Sequence, residues 1–199
     1  PNVFNDEASG SEAMVREAER LPIVFQQADA EALPFEDDSF DVVLSSCGVM
    51  FAPNHPRSAQ EMLRVTPRGG RIGLANWTPR GFIGRVFAVM NRHVPPPAGL
   101  TPPSRWGMED HLEELFRAPA SDIHTTYRDF VFRYRSSAHW VDLFRRWYGP
   151  IHKAFAGLSP AGQLRLEQDL IALIAEFNTS GDSSMAVPAE YLEVVVVKK

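Results

Sequence analysis

Two short segments hold the residues whose types and spacing suit ligand chemistry. In the first, Gln27-Ala28-Asp29-Ala30-Glu31, a carboxylate follows closely on the apolar run Ile23-Val24-Phe25. In the second, Ser45-Ser46-Cys47-Gly48-Val49-Met50 comes straight after Asp41-Val42-Val43-Leu44. Nearly continuous apolar stretches of this length read as strands of a buried parallel sheet, here at residues 23–27 and 41–45. Ligands of such sheets sit outside the carboxyl ends of the strands. Asp29 and residues 45–50 both fall at such ends, which makes them cofactor candidates. Plainer roles exist for the same residue types. Asp29 suits a loop or helix cap, Cys47 a small buried hydrophobe, and Met50 and Phe51 the core.

Elsewhere no catalytic triad stands out. The six histidines, His55, His93, His111, His124, His139 and His152, are scattered. None forms an i,i+4 pair with a partner Glu in the manner of a zinc motif. His55, just past the 45–50 loop, and His139, at the start of an aromatic helix, are placed to take a proton from a hydroxyl or carbon acid. Both equally suit an ordinary surface position. Asp37, Asp38 and Asp41 read as turn chemistry and the polar start of a strand, because residues 36–38 lack metal-ligand spacing. Trp77, Phe82, Phe87, Trp106, Trp140, Phe144, Trp147 and Tyr148 supply rings for a helical core. Read more sharply, they line an apolar pocket for an aromatic, polyketide-like or isoprenoid molecule. Arg133, Arg135, Arg145 and Arg146 suit a solvated face, or pairing with a carboxylate.

The elements that must position these groups alternate in type. Helices are predicted over residues 11–20, 57–65, 82–94, 109–117, 139–148 and 160–178, and strands over 23–27, 41–45, 71–77, 125–135 and 191–197. Ser11 and Ser137 serve as N-caps, and Ser159-Pro160 gives the preferred cap and first-turn pair. Residues 66–70 and 181–184 are turns, and Pro95-Pro96-Pro97 with Pro102-Pro103 enforces a helix-free connector. Strands alternating with helices mean βαβ units and an α/β fold.

The ordered pieces ADAEALPF, DSFDVVLSSCGVMF, EMLRVTPRGGRI and NWTP resemble the later motifs of class I S-adenosylmethionine-dependent methyltransferases. The nearest branch is the small-molecule type 11 domain, which includes quinone C-methyltransferases. The resemblance is dense over residues 11–78 and topological beyond. It implies a Rossmann-like sheet, mostly parallel with an antiparallel C-terminal strand and helices on both faces. It also implies S-adenosyl-L-methionine as cofactor. On that pattern the Asp29 carboxylate accepts a hydrogen bond from the adenine amino group, and the Ala30 N–H reaches a ring nitrogen. Ser46 and Cys47 present carbonyls to the cofactor's ammonium group, and Met50 belongs to the same cofactor-binding set. The implied reaction transfers a methyl group to a small, apolar acceptor. The protein supplies position and a dry site for it, so catalytic residues stay unassigned.

The family opens with an acidic glycine-rich turn of the form D-x-G-x-G-x-G, and this chain contains no G-x-G. Its nearest glycine pairs are Gly69-Gly70 and Gly81-x-x-Gly84. Ser11-Glu12-Ala13-Met14-Val15 fits the family's next helix start, with Ser9 where the family places an acid. The expected fold therefore has an incomplete amino end. The alternative function is a truncated or degenerate module without cofactor binding, acting in binding or dimerisation.

Composition sets the outer limits. At 199 residues the chain suits a single domain over 1–199, with 79–106 a Pro-rich surface loop or lid and 136–180 a helical cap. A net charge of −5 and a pI near 5.7 argue against a nucleic-acid surface. No run of 18 apolar residues is present, so no membrane span is predicted. The single Cys47 has no internal disulfide partner, which fits a reducing cytoplasm. The expected partners are a small-molecule substrate and, in a homodimer, a second copy.

Overall fold

The computed structural model describes residues 23–199. The predicted helix over 11–20 and the Ser9–Ser11 region lie outside them. The described strands are β1 (Val42–Ser46), β2 (Arg71–Trp77), β3 (Ala120–Tyr134) and β4 (Met185–Lys198), in the sheet order β1-β2-β4-β3. β1 and β2 are parallel, and β4 is antiparallel to both β2 and β3. Three strands thus run one way and β4 alone is reversed, the expected Rossmann-like pattern with its antiparallel C-terminal strand.

Helix α1 (His55–Val65) joins β1 to β2. It begins two residues earlier than predicted, because Asn54 caps it by accepting the Arg57 N–H at 3.1 Å and Pro56 occupies its first turn. Ala59, Met62 and Val65 form its buried stripe. The turn into β2 needs Gly69 at φ +79°, and Gly70 is pressed against Thr66 so closely that a Cβ would lie 2.7 Å from its methyl group.

The sheet is covered on opposite faces at its two ends. On one face, Ile72, Leu74 and Asn76 of β2 stand opposite Val196, Val194 and Leu192 of β4, all buried. This face meets α1, the 3-10 turn Pro103–Gly107 and α3 (Glu109–Phe116), which bring Met62, Trp106, Leu112 and Phe116 into the core. Gly107 is forced by this contact, since a Cβ there would sit 2.3 Å from the Trp77 carbonyl. On the other face, the β3–β4 hairpin buries Met185, Val187 and Ala189 against α2 (Phe82–His93), α4 (Ser137–Trp147) and α6 (Pro160–Phe177). Phe82 is the hub there, 5.4 Å from Trp140, 5.7 Å from Phe177 and 6.1 Å from Phe132.

Several element boundaries depart from the sequence reading. Residues 23–27 are irregular rather than a strand, with Val24 83% and Phe25 94% exposed. A strand is held by a neighbour's hydrogen bonds, and among the described residues nothing pairs with the outer edge of β1. β3 and β4 begin five and six residues before the predicted 125 and 191. Helix α5 (Gly149–Ala156) was not foreseen, and the cap of α4 is Ser136, which accepts the His139 N–H at 3.1 Å, rather than Ser137. The 79–106 stretch is half core, since α2 occupies 82–93 and its Phe82, Ile83, Val86, Phe87, Val89 and Met90 are buried.

Candidate functional site

Asp29 sits in a tight turn, with the Ala32 N–H donating to its carbonyl at 3.0 Å and the Glu31 N–H donating to its Oδ1 at 2.9 Å. It is exposed. One carboxylate oxygen therefore does the capping, and Oδ2 makes no hydrogen bond within the described residues. Ala30 beside it is half-buried. What fixes this turn in space is a set of charged residues outside the expected cofactor set, among them Glu31, which suits an exposed position by sequence but is half-buried here. Glu31 Oε1 accepts the Asn54 N–H at 2.7 Å, and its carbonyl accepts from Arg57 Nε at 2.9 Å. Glu61, 3% exposed, accepts the Leu33 N–H at 2.8 Å. Arg64 donates to the Leu33 and Phe35 carbonyls at 2.9 and 2.7 Å. The loop carrying Asp29 is thus tied along α1, from its N-cap to its last turn. The spacing Glu61-x-x-Arg64 was the available signal, because it places the two on one helix face.

The second segment begins where β1 ends. The Cys47 N–H extends the β1–β2 ladder by donating to the Ala75 carbonyl at 2.8 Å. The chain then turns through Cys47 itself, at φ +53°. That left-handed conformation costs a non-glycine residue about 1 kcal/mol or more and concentrates at functional sites. Ser45 Oγ stabilises the turn by accepting the Val49 N–H at 3.0 Å. A 3-10 turn, Val49–Phe51, leads on to Asn54. The five candidates divide by burial. Ser46 is exposed, Ala30 and Cys47 are half-buried, Asp29 is exposed, and Met50 is fully enclosed in the core, where its side chain anchors the loop from beneath. Burial pushes the Cys47 thiol up, against a hydrogen bond from Ser46, so it stays protonated at neutral pH.

A wall of rings stands beside this loop. Ser46 pairs with Ala75, so Ser46 and Trp77 project from the same face of the sheet. From Trp77 the rings continue to Phe132 at 5.8 Å, Phe130 at 6.4 Å and Tyr191 at 6.1 Å. Phe132 leads to Phe144 at 5.9 Å, and Phe144 to Tyr148 at 5.3 Å. Tyr148 returns to the loop: its phenol is pushed well up, first by burial and then by the nearby Cys47. Phe82, Trp106 and Trp140 are buried core, whereas Trp147 is 82% exposed in a separate cleft with Arg145, Arg146 and His152.

The histidines part company. His55, 1% exposed, lies 2.9 Å (Nδ1 to Nε2) from His111, whose Nδ1 is 3.2 Å from Glu114 Oε2. A carboxylate only accepts, so His111 Nδ1 donates to it, and the His55–His111 contact is a hydrogen bond between the two rings. This chain ties the start of α1 to α3. Burial, then His111 and Arg105, lowers the His55 pKa to about 4. His139 instead meets Arg135 at 3.2 Å. The acidic cluster serves the turn: Asp37 pairs with Arg64 at 2.9 Å, Asp38 (φ +57°) with Lys198 at 3.1 Å, and the Asp41 carbonyl accepts the Arg71 N–H at 2.9 Å.

Comparison with known proteins bears on the fold and the family. Residues 7–74 match the family model of a methyltransferase domain. An uncharacterized protein of Mycobacterium tuberculosis (strain ATCC 25618 / H37Rv) is 39% identical over 165 residues, covering 81% of this chain and 60% of that protein. The chain therefore spans about 60% of the length of such relatives. A demethylmenaquinone methyltransferase of Deinococcus radiodurans is 34% identical over 128 residues, 58% of this chain and 53% of that one. Among solved structures, YcgJ of Bacillus subtilis superposes with a TM-score of 0.55 at 15% identity, covering 95% of this chain and 76% of its own. A candidate methyltransferase of Bacillus halodurans C-125 gives 0.51 at 19%, covering 94% and 76%. Residues 7–74 thus match a type 11 methyltransferase domain, and the sheet as a whole shares the fold of these solved structures.

Proposed function

We propose that the chain transfers a methyl group from S-adenosylmethionine to a small, apolar acceptor. The observation that carries this reading is the tethering of the Asp29 turn along α1. It holds the Asp29 turn beside the start of α1, the helix that follows the 46–50 loop, and ligands of such folds bind outside the carboxyl ends of the strands. The groups present suit the cofactor. Asp29 Oδ2 makes no hydrogen bond within the described residues and so suits an amino group, the Ala30 N–H follows it in the chain, and the Ser46 and Cys47 carbonyls belong to the left-handed turn. Met50 holds that turn from below. The cofactor would supply an electrophilic sulfonium methyl, displaced in line. The residues here orient, exclude water and present an apolar wall. The half-buried rings from Trp77 to Tyr148 support the apolar character of the acceptor.

Calorimetry with S-adenosylhomocysteine tests the assignment. Binding is expected, and Asp29→Ala should weaken it about tenfold or more, the worth of one hydrogen bond to a charged group. Unchanged affinity in the variant removes Asp29 from the site. Absence of binding by the full-length protein removes the function.

A further inference from the structure

The ring wall carries two hydroxyls that the described residues themselves do not use. Tyr134 and Tyr148 flank Phe144, at 6.2 and 5.3 Å between ring centroids, and both phenols are only half-buried. Neither hydroxyl makes a hydrogen bond to any described residue, and neither oxygen is among the buried unpartnered atoms, so both are open to a ligand at the surface. Burial pushes both phenols up, so each is an O–H donor at any working pH. The surface around them is backed by buried rings. Trp140, fully buried, stacks behind Phe144 at 4.1 Å with planes 23° apart, and Phe82 backs Phe132. Neighbouring rings meet edge to face, Phe130 to Phe132 at 77° and Phe132 to Phe144 at 80°, so the wall presents both ring faces and ring edges to a visitor. Phe130 is 51% exposed, which leaves the wall open at the end nearest β3's outer edge.

We propose that Trp77, Phe130, Phe132, Tyr134, Phe144 and Tyr148 form the acceptor subsite, and that the Tyr134 and Tyr148 hydroxyls select a planar aromatic molecule bearing a hydroxyl or carbonyl oxygen. The word acceptor rests on the methyl-transfer reading; the aromatic subsite itself does not. A flat ring offers stacking and edge contacts to the wall, while its oxygen takes the two donors that the protein leaves unused. An aliphatic chain of equal area would leave both hydroxyls unsatisfied on binding, which lowers its affinity.

The test compares two probes of one shape, 1-naphthol and 1-methylnaphthalene, titrated by ligand-observed NMR against the full chain with and without S-adenosylhomocysteine. The naphthol is expected to bind tighter. Tyr134→Phe and Tyr148→Phe should each lower its affinity about threefold to tenfold and leave 1-methylnaphthalene unchanged, whereas Trp77→Ala weakens both probes. Equal affinity for the two probes, or tyrosine variants that shift both alike, overturns the proposal. Calorimetry with S-adenosylhomocysteine on the same tyrosine variants separates the two readings. Probe discrimination without cofactor binding upholds the subsite and removes methyl transfer. Cofactor binding without discrimination does the reverse.

Discussion

Three donors converge on the Glu61 carboxylate: the Leu33 N–H at 2.8 Å, Arg64 through two contacts at 2.8 and 3.0 Å, and Arg57 at 3.3 Å. A buried carboxylate standing alone would cost several kcal/mol. Here the hydrogen bond from Arg64 chiefly, opposed by burial, holds its pKa below the usual carboxylate range. The consequence is structural, because this cluster fastens the Asp29 loop to α1. Glu61→Gln keeps the shape and removes the charge, and should cost about 2–3 kcal/mol. The melting temperature would then drop by roughly 4–12 °C; an unchanged value would show that the loop is held by other means. The sign of the pH effect follows from the depressed pKa. Glu61 contributes its stability above the unfolded carboxyl value, about 4.3, and loses it as pH falls through the lower folded value. Asp29 was legible by type and by its place after an apolar run. Glu31, Glu61 and Arg64 were not, since the Glu61-x-x-Arg64 spacing puts two charges on one helix face without saying that they pin a distant loop.

At the scale of elements, the His55–His111–Glu114 chain joins the first residue of α1 to α3, and so braces the 46–55 segment against the turn that carries Trp106. His55 titrates near 4 in the folded protein and near 6.5 when unfolded. Between those values the unfolded state binds the extra proton. Stability from this site is complete above about pH 6.5 and declines as pH falls toward 4. From pH 7 to 5 the loss should be about 1–2 kcal/mol, and chemical denaturation of His55→Gln should show a flatter slope in that window. Parallel slopes would mean that His55 is not the titrating group. The elements themselves were legible to different degrees. β2 and α3 carry sharp turn signals and short apolar patterns, and fall within a residue of expectation. β4 was read at half its length because Pro188 breaks the pattern. It is tolerated there because the β2–β4 ladder ends at the Trp77–Tyr191 pair, so Pro188 stands opposite β3 alone. Helix α5 is eight residues long and follows Trp147-Tyr148 without a polar break, so its start is invisible in the pattern.

At the scale of the molecule, the diagonal covering of the sheet leaves one quarter bare among the described residues. Val42 and Leu44 project from the face that carries Ser46 and Trp77, 55% and 77% exposed, with the irregular Ile23-Val24-Phe25 exposed as well. Beside them β1 offers an edge that no described residue pairs. An unpaired edge next to an apolar strip favours association, and this is the surface that a dimerising role would use. Leu44 lies across Gly73, and a Cβ at Gly73 would come within 2.6 Å of it, yet most of its surface is exposed among the described residues. Leu44→Lys should therefore alter stability by less than about 0.5 kcal/mol while placing a charge in any contact made there. If the strip closes a homodimer, sedimentation velocity will show a concentration-dependent dimer that Leu44→Lys returns to monomer at unchanged melting temperature. A single monomeric species for the unsubstituted chain up to about 100 μM, a concentration at which a micromolar contact would be nearly saturated, removes the dimer and leaves this face without a second copy.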